Sequence, residues 1–188
     1  MLTMMRSAFV ALAFLLAQPV SAQTVSYSLG KQPFLVVCQS AATGMSVTGT
    51  TAETALANCT IPAGAIGTSG RLRITTQWTF TGSTNTKTPR VRFHTASGVL
   101  GTVYMVNAVA TAAQVAAKCT GHIWNRAVAN SQIGNAICGD LTGTSSVSVT
   151  SAIDTAAATF VNLTGQLALG TETLTLDAYT VEIISPGS

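Results

Sequence analysis

Charge is scarce in this chain. Nine Lys and Arg and six Asp and Glu make up 8% of 188 residues, against roughly 25% in an average soluble domain. With 47% hydrophobic residues, so thin a charge excludes an intrinsically disordered chain, which needs high net charge and low hydrophobicity. Histidine is nearly absent: His94 and His122 are the two in the sequence. Hydrolysis by a nucleophile needs a base and an orienting acid beside it, and no Gly-x-Ser-x-Gly elbow accompanies these imidazoles. No phosphate loop or dinucleotide fingerprint is present. The acids Asp140, Asp154, Glu172 and Asp177 are scattered and form no paired motif. The expectation is a chain that is not an enzyme, with no catalytic residue, no cofactor and no resident metal.

What is present is β-pattern. Residues 70–81 read Gly-Arg-Leu-Arg-Ile-Thr-Thr-Gln-Trp-Thr-Phe-Thr. Leu72, Ile74, Thr76, Trp78 and Phe80 fall on one face; Arg71, Arg73, Thr75, Gln77, Thr79 and Thr81 fall on the other. A period of two is that of a half-buried strand. Turn residues bracket it, with Gly67 and Gly70 before and Gly82 and Ser83 after. With charge so low, the polar surface must come largely from Thr, Ser, Asn and Gln, and β-branched Thr packs well on a pleated sheet.

Residues 1–22 have the pattern of a cleavable secretory leader. Arg6 supplies a positive start, residues 7–17 a short apolar core, and Val20-Ser21-Ala22 the small residues read at the cut. The apolar run falls well short of the ~20 residues that span a bilayer, so no membrane span is expected once the leader is removed. Residues 23–31 read as an extended arm, and 32–188 as one domain. In that domain, 33–38 is a short strand and 41–51 a loop. Residues 53–61 alternate, with Ala55, Ala57, Cys59 and Ile61 together. Residues 82–87 read as a turn joining the 70–81 strand to Arg90–His94 in a hairpin. Further along, 99–109 is apolar and β-branched. Residues 111–118 are Ala-rich, which favours helix, but the flanks favour strand. We read 121–132 as irregular, 134–144 as a loop, and 145–152, 159–169 and 173–184 as strands. Leu174 and Leu176 share one phase and Tyr179, Val181 and Ile183 the other, which predicts a bulge near Asp177-Ala178. The sum is an all-β, jelly-roll-like sandwich of about eight or nine antiparallel strands.

Four cysteines, Cys38, Cys59, Cys119 and Cys138, read as two disulfides in an exported chain. Three connectivities exist; Cys38–Cys59 and Cys119–Cys138 are favoured because each closes a short loop. A zinc site from Cys119, His122, Cys138 and Asp140 can be drawn, but disulfides suit the compartment better. Arg71, Arg73, Arg90 and Arg92 look like a basic cluster. Nucleic-acid binders carry a denser basic field with interleaved aromatics, so a solvated sheet face is the reading and no nucleic acid is expected. Asn58-Cys-Thr and Asn162-Leu-Thr match the glycosylation sequon. Trp124, with Asn125 and Arg126, sits in a polar segment and is the candidate ligand-binding group.

An ordered series of segments resembles small β-rich structural proteins of tailed bacteriophages and prophages. The series comprises Thr-Gly-Thr-Thr-Ala-Glu-Thr at 48–54, Ile-Pro-Ala-Gly at 61–64 and Gly-Arg-Leu-Arg-Ile-Thr at 70–75. It continues with Asn85-Thr-Lys-Thr, Arg90-Val-Arg-Phe and Trp-Asn-Arg-Ala-Val-Ala-Asn-Ser-Gln-Ile-Gly at 124–134. It ends with Ser-Ala-Ile-Asp-Thr-Ala-Ala at 151–157, Leu-Thr-Gly-Gln-Leu-Ala at 163–168 and Glu-Thr-Leu-Thr-Leu-Asp-Ala-Tyr-Thr-Val-Glu at 172–182. The resemblance implies a jelly-roll-like virion component, such as a fibre, tail appendage or head decoration. It also implies a homo-oligomer, with a trimer favoured, and other virion proteins as partners. A leader and four cysteines set this chain apart from that group, because virion parts assemble in a reducing cytoplasm. Export to the periplasm or the outside is therefore expected, with a virion location as the alternative. The functional expectation is a non-enzymatic structural component. The alternative is an exported carbohydrate-binding or adhesive sandwich with a cell-surface glycan as partner.

Overall fold

Alternation sets the strands. In the computed structural model, which describes residues 34–40, 44–139 and 148–184, eleven follow in order: β1 (Leu35–Ser40), β2 (Met45–Val47), β3 (Thr54–Ile61), β4 (Arg71–Phe80), β5 (Lys87–His94), β6 (Thr102–Val106), β7 (Ala116–Asn125), β8 (Gln132–Gly139), β9 (Val149–Ser151), β10 (Thr159–Leu167) and β11 (Leu174–Ile184). The leader and arm at 1–31 lie outside the described residues, as do Asp140 and most of the 134–144 loop's second half. No helix occurs among the described residues. The strands form two antiparallel sheets packed face to face. The larger has the order β1-β11-β4-β7-β8-β9 with β2 also on β11, and the smaller β3-β10-β5-β6. This is an all-β, jelly-roll-like sandwich.

β4 lies at the centre of the larger sheet, between β11 and β7. Leu72, Ile74, Thr76, Trp78 and Phe80 are all buried, as the period predicts. Thr76 is tolerated there because the Trp78 Nε1–H donates to its Oγ1 at 2.7 Å. From the opposite layer come Cys59, Ile61, Val91, Phe93, Val161 and Leu163, all buried. Each large side chain buried between the layers contributes roughly 1.5–3 kcal/mol, as an upper bound. In β11 the register against β4 shifts between Leu176 and Ala178. That bulge lets Leu174 and Leu176 and then Val181 and Ile183 point inward on opposite phases.

The two disulfides do different work. Cys38–Cys59 joins β1 of the larger sheet to β3 of the smaller and so ties the layers together. Cys119–Cys138 links β7 to β8 within one sheet, where the register sets the two residues directly opposite. Each closes a loop, worth roughly 3 kcal/mol in the chain-entropy account.

Five expectations are corrected. The 82–87 segment is not a hairpin turn. Both edges of β4 are taken by β11 and β7, so the chain crosses to the smaller sheet and β5 pairs with β10 and β6. Residues 121–125 are not irregular but finish β7, paired with β4. The first part of the 134–144 loop is β8, which runs to Gly139. There Gly134 serves close approach, not a turn: a Cβ on it would lie 2.5 Å from the Tyr104 ring and closer still to the His122 carbonyl oxygen. Of the Ala-rich segment, strand begins at Ala116. The count of eleven exceeds eight or nine because β2, of 3 residues, lies inside the segment read as the 41–51 loop and β8 inside the one read as the 134–144 loop, whereas β9 falls within the 145–152 strand.

Candidate ligand-binding face

β7 directs Lys118, Thr120, His122 and Trp124 to the outside of the larger sheet, and Ala117, Cys119, Ile123 and Asn125 into the sandwich. The ladder with β4 places Trp124 beside Arg71, His122 beside Arg73, and Thr120 beside Thr75. On the far side of β4, β11 sets Thr180 beside Thr75 and Glu182 beside Arg73. β8 sets Ile133 beside Trp124 and Asn135 beside His122. The outcome is a polar face crossed by one aromatic pair. The His122 and Trp124 rings stand 5.1 Å apart at 34°. The Arg71 guanidinium carbon lies 6.0 Å from the Trp124 ring centroid, in range of a cation–π attraction.

Beside this pair is a shallow depression of about 380 Å³, lined by Arg73, Thr75, Lys118, Thr120, Thr180 and Glu182. Its one ion pair joins Arg73 Nε to Glu182 Oε2 at 2.5 Å. The hydrogen bond from Arg73 holds the Glu182 carboxyl below the usual carboxylate range. Burial, followed by the charges of Arg71 and Arg73, lowers the His122 pKa from its ordinary value. The imidazole is therefore neutral at pH 7. Its Nδ1 and the Arg71 Nε are sealed from solvent, and neither has a hydrogen-bond partner.

The three residues singled out around Trp124 do not act together. Asn125 is 6% exposed and donates to the Gly67 carbonyl at 2.5 Å and to Thr155 Oγ1 at 2.8 Å. It also accepts from Gln132 Nε2 at 2.9 Å. That leaves it no group to offer a ligand, and it ties the loops at one end of the sandwich. Arg126 is exposed past the strand's end. The partners that do accompany Trp124 are His122 and Arg71, which adjacency in sequence missed. The signal was available: in a strand, positions two apart share a face, so 122 goes with 124 and 125 does not.

The other candidate residues are dispersed. The four arginines are not one cluster, because Arg71 and Arg73 belong to the outside of the larger sheet and Arg90 and Arg92 to the outside of the smaller. His94 faces out from the smaller sheet, where its Nδ1 accepts the Ala96 N–H at 3.1 Å. It shares no surface with His122. Cys119 and Cys138 are bonded to each other, so neither ligates a metal. Among the described residues no group of three His, Cys, Asp or Glu is placed to hold one. Asn162 of the second sequon is fully buried and bonded through both ends of its amide to Ala96 and Gly98, which closes it to modification. Asn58 is exposed.

No family model matches the sequence, and no curated protein matches it. The likeness to phage appendage proteins thus rests on the sequence segments alone. Among solved structures, the chain is similar to peanut lectin in complex with a nine-residue peptide, at 8% identity and a TM-score of 0.37, covering 84% of this chain and 94% of that one. It is similar to lectin I of Ulex europaeus, in complex with the methyl glycoside of α-L-fucose, at 11% identity and a TM-score of 0.37, covering 84% and 94%. Arcelin-5, a lectin-like defense protein from Phaseolus vulgaris, gives 7% identity and a TM-score of 0.37, covering 82% and 93%. At such identities the likeness is one of sandwich architecture. No helix among the described residues is long and apolar enough to cross a membrane.

Proposed function

We propose that this protein is an exported, non-enzymatic binding module that holds a saccharide on the outer face of its larger sheet. The observation that carries the reading is Trp124, half-buried on that face and flanked by His122 and Arg71, with a Thr-lined depression further along the same strands. An indole gives the C–H face of a sugar ring a flat apolar platform. Thr75, Thr120 and Thr180 give its hydroxyls donors and acceptors within one surface. Two disulfides suit an exported protein, since they persist in oxidising compartments. The test is binding to an immobilised glycan panel. Trp124→Ala is expected to lose binding while keeping the wild-type melting temperature; full binding by that variant removes the reading.

A second reading, the virion-appendage-like structural part, draws on one observation. β1 is an edge strand of the larger sheet, and Phe34, Leu35 and Val36 along it are 51%, 53% and 39% exposed. An apolar edge of this kind is hidden in closed oligomers. Light scattering decides it: a homo-oligomer, a trimer above all, supports the structural role, and a monomer at high concentration removes it.

A further inference from the structure

We infer that the saccharide taken by this face is acidic, a uronate-type sugar whose carboxylate is seated by Arg71 next to the Trp124 platform; this rests on the saccharide reading above. The argument begins with charge. Three cations face outward from β4 and β7 here: Arg71, Arg73 and Lys118. The acid against them is Glu182, which spends its charge on Arg73. Asp177 lies at the far end of β4, accepting from Thr79 Oγ1 at 3.2 Å, and Asp154 caps its own loop by accepting the Ala156 N–H. Glu53 and Glu172 pair with groups elsewhere. Arg71 has no ion pair among the described residues, and its Nε has no acceptor. Among the described residues, then, the one cation beside the platform has no anion.

Shape then selects which anion. A guanidinium presents parallel N–H groups that match the two oxygens of a carboxylate, and such bidentate pairs are stronger and more directional than a point-charge contact. The Arg71 guanidinium lies over the Trp124 ring, 6.0 Å from its centroid, so a sugar packed against the part of the indole left open would project an equatorial carboxylate toward the fork. A neutral sugar would use Trp124 and leave Arg71 idle. A nucleic-acid strand would need several stacking aromatics along a continuous basic groove. This face has one indole and three cations, and Ile133 and Ile137 border it on β8.

The experiment titrates the whole chain with three probes by calorimetry: an oligogalacturonate, the same oligomer as its methyl ester, and a single-stranded oligonucleotide. The ester keeps every ring and removes the charge. The expected result is binding of the oligogalacturonate at least about tenfold tighter than of the ester, weakening as salt is raised. Arg71→Gln is expected to bring the acid down to the affinity of the ester, and Arg71→Lys to recover it in part, since charge returns without the fork. Arg90→Gln, on the opposite sheet, is the control and leaves affinity unchanged. Equal affinity for acid and ester, with Trp124→Ala abolishing both, overturns the acidic inference and keeps the saccharide reading. Binding of neither sugar overturns both. Tighter binding of the oligonucleotide than of either sugar also overturns both.

Discussion

Arg71-Leu72-Arg73 and Arg90-Val91-Arg92 are one sequence pattern used twice, once on each sheet, and their fates differ. In both, the middle residue is buried, Leu72 at 0% and Val91 at 1% exposed, and both arginines face out. On the smaller sheet the arginines are closed. Arg92 forks onto Glu53, Nε to Oε1 at 2.7 Å and Nη2 to Oε2 at 2.7 Å. Arg92 Nη1 also donates to the Gly101 carbonyl at 3.1 Å. Arg90 Nη1 lies 3.2 Å from the same carboxylate, and Thr164 donates to it at 2.5 Å. On the larger sheet, among the described residues, Arg73 alone is paired, and Arg71 leans toward Trp124. An arginine doublet on a strand thus becomes a strut or an open surface according to whether an acid stands across from it. The acid on the smaller sheet comes from Glu53, just before β3, far away in sequence.

Removing what lies under the open face should cost most. Trp78 is fully buried beneath the outward Gln77 and Thr79, and Trp78→Ala is expected to cost about 3–5 kcal/mol in chemical denaturation. A change within error would mean that the inner and outer faces of β4 are reversed. Glu53→Ala should come next. It leaves two guanidinium groups, with side chains 18% and 17% exposed, facing each other without a carboxylate. About 1–3 kcal/mol is expected. The equivalent change on the open face, Glu182→Ala, removes a pair whose arginine side chain is 38% exposed, and about 0.2–1 kcal/mol is expected. Equal costs for the two would erase the distinction between the faces.

The contrast explains what could be read from residues in a row. Faces within one strand were legible, because the alternation of Leu72 to Phe80 and of Ala55 to Ile61 is local. So was the bulge after Leu176, where the phase of burial switches within one strand. Strand partnership was not legible. The 82–87 segment has the composition of a hairpin turn, and only the pairing of β4 on both sides rules that out. The buried Lys87 is a case in between. Its phase in β5, with Val91 and Phe93, puts it inside, and it is 0% exposed. Residue type argues against that position, and it is tolerated through one partner four residues upstream and one far along the chain. Its Nζ donates to Ser83 Oγ at 2.9 Å and to the Ser83 carbonyl at 3.0 Å, with Glu172 Oε2 at 3.9 Å. The candidate face was half legible for the same reason. His122 and Trp124 share a side by period, whereas Arg71 reaches them through a ladder pairing more than fifty residues away.

Acid should separate the two faces as well. Burial pushes the Glu53 carboxyl up, but hydrogen bonds from Arg92 and Thr164 and the charges of Arg90 and Arg92 outweigh it, so its pKa falls below the ordinary value. The Glu182 pKa is lowered chiefly by the hydrogen bond from Arg73. A carboxyl lowered in the folded state binds fewer protons there than in the unfolded chain. Its contribution is complete above the ordinary glutamate pKa of about 4.3 and is lost as pH falls through the lower folded value. Melting temperature should therefore drop with acid in that window. Glu53→Gln is expected to flatten the drop more than Glu182→Gln. A flatter profile in the Glu182 variant would assign the stronger pairing to the larger sheet.

Arg71 should matter least to stability. It lies on the surface, has no ion pair among the described residues, and gains from Trp124 about 0.5–1 kcal/mol at most. Arg71→Ala is expected to shift stability by no more than about 1 kcal/mol, below the middle of the range at Glu53. If its removal leaves the fold intact, an arginine whose neighbours are an indole and an imidazole serves the proposed external anion more than the fold. If Arg71→Ala destabilises the chain as much as Glu53→Ala does, the guanidinium is a strut like those of the smaller sheet, and the open face closes on itself.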